Sequence, residues 1–259
     1  MQDAAHNSTP FDHWVIDDFF DTATAVQLAS DFYEYDDPRW LTRHSNELED
    51  KRISTHWDGY PKSIYAAFFY LCSQKFINQL ETLTGIEGLV SDYGLHGGGM
   101  HIHSGTTGKL NLHQDAELHP KLGLKRKLNI VIYLNPHWQP TWGGNLQLWS
   151  ADESGSPGEL VKEIEPSFNR AIIFDTTQNS WHGLPEKLSA TRGQNRKSIA
   201  LFYYIKDDST VEGHRTRAMF APSKDQQDDP AILDAIRERL SVPPVYGEGG
   251  GQTQWSSLE

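Results

Sequence analysis

Three stretches of the chain alternate polar and apolar residues with a period of two. In Lys109-Leu110-Asn111-Leu112-His113-Gln114-Asp115, alternation puts Asn111, His113 and Asp115 on one face and Leu110 and Leu112 on the other. From Lys127 to Leu134, Asn129, Val131 and Tyr133 oppose Ile130, Ile132 and Leu134. From Arg196 to Tyr203, Arg196, Ser198, Ala200 and Phe202 oppose Ile199, Leu201 and Tyr203. Each stretch reads as a strand with an aliphatic ridge on one side and polar groups on the other. The pattern predicts a mainly β fold with flanking helices, a barrel or sandwich whose interior is functional.

Helical spacing appears earlier. Ile64, Phe68, Leu71, Cys72, Phe76, Leu80 and Leu83 recur at helical intervals, predicting one helix over residues 63–83 that packs on the sheet. Residues 14–20 read as a short strand and turn, and Asp21 or Thr22 can cap a helix through Ala25, Leu28 and Phe32. Residues 36–60 lack sustained periodicity and read as loop with short strands. Gly97-Gly98-Gly99 reads as a flexible bend without the strand-to-helix context of a phosphate loop. A short helix is expected around residues 231–240, and the composition of 246–259 predicts a disordered tail.

Composition changes the picture only by exclusion. A length of 259 residues suits one sizeable domain. A net charge of −12 argues against nucleic-acid binding. The single cysteine, Cys72, excludes an internal disulfide and fits a reducing compartment. No apolar run is long enough to span a bilayer, and the first residues lack a signal-peptide core, so a cytoplasmic protein without membrane attachment is expected. Nothing in the sequence fixes an oligomeric state.

The candidate chemistry lies on the predicted strands. His113 and Asp115, with His182 far downstream, are two imidazoles and one carboxylate. Such a set takes one face of an octahedral metal and leaves the opposite face open, the arrangement used by non-haem Fe(II) oxygenases. Arg196 opens an apolar strand after His182 and supplies a fixed cation for the far carboxylate of a small diacid such as 2-oxoglutarate.

The surrounding motifs extend this reading. Tyr133-Leu134-Asn135, Trp138, Gly143-Gly144-Asn145-Leu146, residues 164–170, Phe174, His182 and Arg196 follow in an order that resembles the prolyl-hydroxylase-like branch of the 2-oxoglutarate/Fe(II)-dependent dioxygenases. The resemblance covers roughly residues 90–205 and implies a double-stranded β-helix, a distorted cupin-like jelly roll. It further implies a single oxygenase domain over 1–245, with helical support at 10–88, a core at 89–207 and an extension at 208–245. His113, Asp115 and His182 match the iron ligands, Arg196 the anchor for 2-oxoglutarate and Tyr133 the phenol beside it. Asn129 falls where the family often has a small polar residue near the cosubstrate, and His103 where relatives often have a tyrosine. The gap between His182 and Arg196 is longer than usual, which makes Arg192 a rival anchor; it lies in a Gly-containing loop rather than on the strand.

What the resemblance implies for chemistry is hydroxylation of a second substrate, coupled to decarboxylation of 2-oxoglutarate to succinate with O2, and with ascorbate as a supporting reductant. Desaturation, epoxidation and halogenation share the same iron chemistry, although Asp115 fills the position a halide needs. A non-catalytic metal-binding β-barrel sensor is the alternative from another class. The substrate stays open between a small molecule and a peptidyl residue. His101 and His103 read as cavity-lining or solvated groups rather than a second metal site. His119, Lys121, Lys125, Arg126 and Lys127 read as a solvated rim, or as a patch meeting an anionic substrate at the cavity mouth. Trp40, Trp57, Trp142 and Trp149 are candidates for a substrate groove or for core.

Overall fold

The computed structural model describes residues 4–206 and 214–241; the tail expected to be disordered lies outside them. Its strands are β1 (Ala5–Asn7), β2 (His13–Ile16), β3 (Thr42–Ser45), β4 (Glu49–Ser54), β5 (Val90–Ser91), β6 (Gly99–His103) and β7 (Lys109–Gln114). They continue as β8 (Lys125–Tyr133), β9 (Leu146–Ala151), β10 (Pro157–Ile164), β11 (Ala171–Asp175), β12 (Trp181–Leu184), β13 (Arg196–Ile205) and β14 (Met219–Phe220). The helices are α1 (Thr22–Asp31), α2 (Lys62–Cys72), α3 (Gln74–Thr84) and α4 (Pro230–Ser241).

The strands pair in the order β1-β2-β11-β8-β13-β6-β4-β7-β12-β9-β10, with β14 on β7, β3 on β4 and β5 on β13. This sheet curls so that β6, β8 and β13 face β7, β9 and β12 across a common interior, the double-stranded β-helix expected. The alternation on β8 and β13 is realised as read. Ile130, Ile132, Leu134, Ile199, Leu201 and Tyr203 join the buried cluster under α1, α2 and α3, while their polar-phase neighbours face inward. Phe11, Leu148, Ile172 and Phe174 fill part of the space between the two walls.

Three local expectations need correction. The helix predicted over 63–83 is two helices, because Ser73 is extended (φ −70°, ψ 149°) and its hydroxyl caps α3 by accepting from the Phe76 amide at 3.3 Å. Apolar periodicity survives the break, so the pattern could not reveal it. The triple glycine is a point of close approach rather than a loose bend: a Cβ on Gly98 would lie 2.6 Å from the Ala200 carbonyl oxygen, and Gly99 has φ +93°. Residues 36–60 carry short strands as read, β3 and β4, and β4 lies inside the sheet between β6 and β7.

The third correction concerns β7. Its face is not uniform, because Leu110 lines the interior while Asn111 points away and donates to the Ala221 carbonyl and the Gln226 amide oxygen. The cause is a bulge. His113 pairs with His182 and Leu110 with Leu184, so three steps along β7 oppose two along β12. Gly183 sits opposite the extra residue, where a Cβ would lie 2.7 Å from the Leu110 carbonyl oxygen and 2.8 Å from that of Asn111. The C-terminal segment backs this strand: Met219 and Phe220 pair with Gln114 and His113.

Candidate active site

His113 near the end of β7, Asp115 just beyond it and His182 on β12 each offer one ligand atom, all within 4.8 Å of one another, and all three residues are buried. His113 Nε2 lies 4.0 Å and His182 Nε2 3.7 Å from the Asp115 oxygens. The tautomers follow from the other ring nitrogens. His113 Nδ1 faces the Asn111 carbonyl at 3.0 Å and His182 Nδ1 faces the Ser180 carbonyl at 2.7 Å. A carbonyl only accepts, so each Nδ1 carries the proton and each Nε2 presents a lone pair to the shared space. Among the described residues no other group of three or more such side chains is placed to hold a metal ion.

Electrostatics agree with this donor set. Burial, followed by the neighbouring His182, pushes the His113 pKa down to about 3, so the ring is neutral. Burial alone would raise the Asp115 pKa, but His182, Arg126 and His113 outweigh it and keep it below the ordinary carboxylate value. Asp115 Oδ2 is buried without a hydrogen-bond partner. A buried ionised oxygen left bare beside two lone pairs is costly unless a cation completes it, and the two-imidazole, one-carboxylate set suits ferrous iron.

The other end of the cavity is cationic. Arg196 is 2% exposed, donates from Nε to the Gly144 carbonyl at 2.8 Å and stacks 4.8 Å from the Tyr133 ring centre. Burial lowers its pKa from the usual guanidinium value. Tyr133, Asn129 and His103 line the same cavity, and the Tyr133 hydroxyl, the Asn129 side-chain oxygen and both His103 ring nitrogens are buried without partners. These orphaned groups form a cradle that a polar ligand would complete. Arg192, the rival anchor, is exposed and does not line the cavity. His101 lines the cavity but binds the Gly98 carbonyl through Nε2 at 3.0 Å.

The basic stretch after Asp115 is divided. Lys121 is exposed, whereas His119 and Arg126 are each 4% exposed. Arg126 Nη1 lies 3.7 Å from Asp115 Oδ1 and the guanidinium stacks 3.7 Å over the Phe202 ring. Rim placement is therefore wrong for His119, whose Nε2 lies 3.3 Å from Asp92 Oδ2, and for Arg126, where a second bulge explains it. Tyr203 and Tyr204 on β13 oppose Leu128 and Arg126 on β8, so the extra residue Lys127 turns Arg126 inward. Lys51, on β4, also lines the cavity and was not marked by any motif. Trp40 belongs to the core and Trp57 packs on it, and none of the four tryptophans considered lines the cavity.

The sequence profile described as the 2OG-Fe(II) oxygenase superfamily matches residues 98–204. The prolyl 3-hydroxylase OGFOD1 of Xenopus laevis is 33% identical over 79 residues, 30% of this chain and 15% of that protein. Its Mus musculus counterpart is 34% identical over 79 residues, 30% of this chain and 14% of that protein. The chain thus matches about one-seventh of the length of these curated relatives. In fold, it superposes on a Pseudomonas putida prolyl-4-hydroxylase with TM-score 0.53 and 18% identity, covering 75% of this chain and 92% of that one. It superposes on a Trichoplax adhaerens prolyl hydroxylase, solved with a hypoxia-inducible-factor peptide fragment, with TM-score 0.52 and 17% identity, covering 74% and 83%. Residues 98–204 of this chain thus match the 2OG-Fe(II) oxygenase superfamily, and the curled sheet around the buried His-Asp-His group shares its fold with these two prolyl hydroxylase structures.

Proposed function

We propose that this protein is an Fe(II)- and 2-oxoglutarate-dependent dioxygenase that hydroxylates a prolyl residue within a peptide. The observation that carries the reading is one cavity with a buried His-Asp-His group at one end and a buried arginine at the other. Bound there, ferrous iron and 2-oxoglutarate supply an O2-derived oxidant able to attack a C–H bond, with release of succinate and CO2. The protein's own residues bind and orient. His113, Asp115 and His182 hold the metal on one face, and Arg196 grips the far carboxylate with Tyr133 and Asn129 beside it. His103 meets the cosubstrate along its length. Asp115 as third ligand fills the position that halogenation would need, which favours hydroxylation.

The choice of a prolyl residue rests on the OGFOD1 match, and a peptide substrate is consistent with the Trichoplax complex. We take the described residues as one oxygenase domain. Their single cysteine and the absence among them of a helix long and apolar enough to cross a membrane are consistent with work in the cytoplasm.

The test is a panel of proline-containing peptides incubated with Fe(II), 2-oxoglutarate and labelled O2. Succinate release coupled to a peptide gaining one labelled oxygen is expected. Turnover confined to small molecules would overturn the peptidyl assignment, and no succinate from any substrate would overturn the enzyme.

A further inference from the structure

Arg196 is one of two lysine or arginine side chains lining the cavity; the other, Lys51, has no part in the reading above. The two are connected by register. On β6 and β13, His103 pairs with Arg196. On β4 and β6, Arg52 pairs with Ile102 and Ile53 with His101, so the next step places Lys51 across from His103. Lys51, His103 and Arg196 therefore form a row across three adjacent strands, all facing inward. Two strand spacings separate the backbones carrying the two cations by roughly 10 Å, and both side chains reach toward the space between.

Several features suggest a ligand between them. His103 is 3% exposed and neither ring nitrogen has a partner. Burial, then the charges of Arg196 and Lys51, hold its pKa well below the ordinary imidazole value, so it presents one N–H donor and one lone pair. Lys51 is fixed by Glu49, whose Oε2 lies 3.1 Å from Nζ while its Oε1 faces His44 Nδ1 at 3.3 Å. Glu49 does not line the cavity. An ammonium has three donors, and this pairing aims Lys51 without capping it. Like Arg196, it is largely removed from water, with a side chain 13% exposed.

We propose that Lys51 is the second carboxylate anchor of this cavity, taking the carboxylate next to the keto group of 2-oxoglutarate while Arg196 takes the far one. His103, between them, donates to the same ligand. The proposal rests on the cosubstrate reading above.

The experiment titrates 2-oxoglutarate into Ni(II)-loaded protein by calorimetry, for the wild type and for Lys51→Met, Lys51→Arg and Arg196→Met, with nickel content matched by elemental analysis. A second ligand, levulinate, keeps the ketone and the far carboxylate but has a methyl group in place of the proximal carboxylate. Lys51→Met is expected to raise the 2-oxoglutarate dissociation constant at least roughly tenfold, as for a lost charge-assisted contact, with Lys51→Arg recovering most of it. Levulinate binding should be unchanged by Lys51→Met and weakened by Arg196→Met. Wild-type affinity for 2-oxoglutarate in Lys51→Met, with Arg196→Met impaired, overturns the Lys51 assignment and leaves the cosubstrate reading standing. Equal loss of levulinate in Lys51→Met also overturns it, because the defect is then not at the proximal carboxylate. If neither Lys51→Met nor Arg196→Met weakens 2-oxoglutarate, both readings fall.

Discussion

β13 runs for ten residues, with Arg196, Ser198, Ala200 and Phe202 in strict alternation along the cavity. β7 runs for six and breaks its alternation between Leu110 and His113, yet it brings in the first of the proposed metal ligands. The regular strand is a central one, paired along its length with β6 and β8. The bulged strand is held piecewise, by β4 at Leu110, by β14 at His113 and by β12 opposite. The difference suits two tasks. An anchor needs only a rigid base and reach, whereas metal ligands from two strands must meet at one point, and the bulge re-aims His113 toward His182.

The largest effect expected from breaking this comparison is at the metal end. His113→Ala or His182→Ala should abolish stoichiometric Fe(II) or Ni(II) binding while leaving the β8–β13 wall folded, since those strands bury their aliphatic face under the helices. Elemental analysis of dialysed protein together with a thermal melt checks both halves. Full metal occupancy in both variants would sink the ligand assignment.

The same comparison marks what the sequence could reveal. On β8 and β13, period-two alternation predicted every cavity-facing residue from Asn129 to Tyr133 and from Arg196 to Phe202, because a regular ladder obliges alternate side chains to share a face. Two of the misplaced residues, Asn111 and Arg126, sit at bulges. A bulge adds one residue to one strand and is specified by the partner strand, here by Gly183 opposite β7, so no local pattern in the bulged segment announces it. Lys51 was hidden for another reason. It lies on a short strand in a segment without periodicity, and its inward aim follows from pairing with β6, a contact between positions about fifty residues apart.

At the regular strand the expected effect is smaller and confined to the cosubstrate. Arg196→Ala should weaken 2-oxoglutarate roughly tenfold or more, since a charge-assisted contact is worth about 1.5–3 kcal/mol. Arg192→Ala, on an exposed loop, should change it little. Titration of the metal-to-ligand absorption band in anaerobic Fe(II) protein ranks the two, and the reverse order would move the anchor to the loop.

Gly183→Ala tests the bulge without touching a ligand. The added methyl must displace the Leu110 or Asn111 carbonyl, and overpacking of this kind costs about 1–3 kcal/mol. The urea midpoint should fall and nickel affinity should fall with it, because the displaced backbone carries His113. A lowered midpoint with unchanged nickel affinity would mean that the bulge serves stability and not ligand aim.

The smallest effect expected near neutral pH separates the two regions by titration. His101 and His113 are pushed down to about 3, and His103 lies well below the ordinary value, in each case mainly through burial. On the β8–β13 wall, Tyr133 is raised and Arg196 keeps its charge, so neither changes state in mild acid. In the unfolded chain each imidazole titrates near about 6.5. Between that value and about 3 the unfolded state therefore binds protons that the folded state refuses. Stability of metal-free protein is full above about pH 6.5 and declines as pH falls through that window. The loss should appear first where the imidazoles sit. Amides of β6 and β7 should lose hydrogen-exchange protection on acidification from pH 7 to 5 before those of β8 and β11, measured by mass spectrometry on chelator-treated protein. A urea midpoint that stays flat over that range, or loss of protection that begins on β8 and β11, would show that these histidines are not held neutral by the fold.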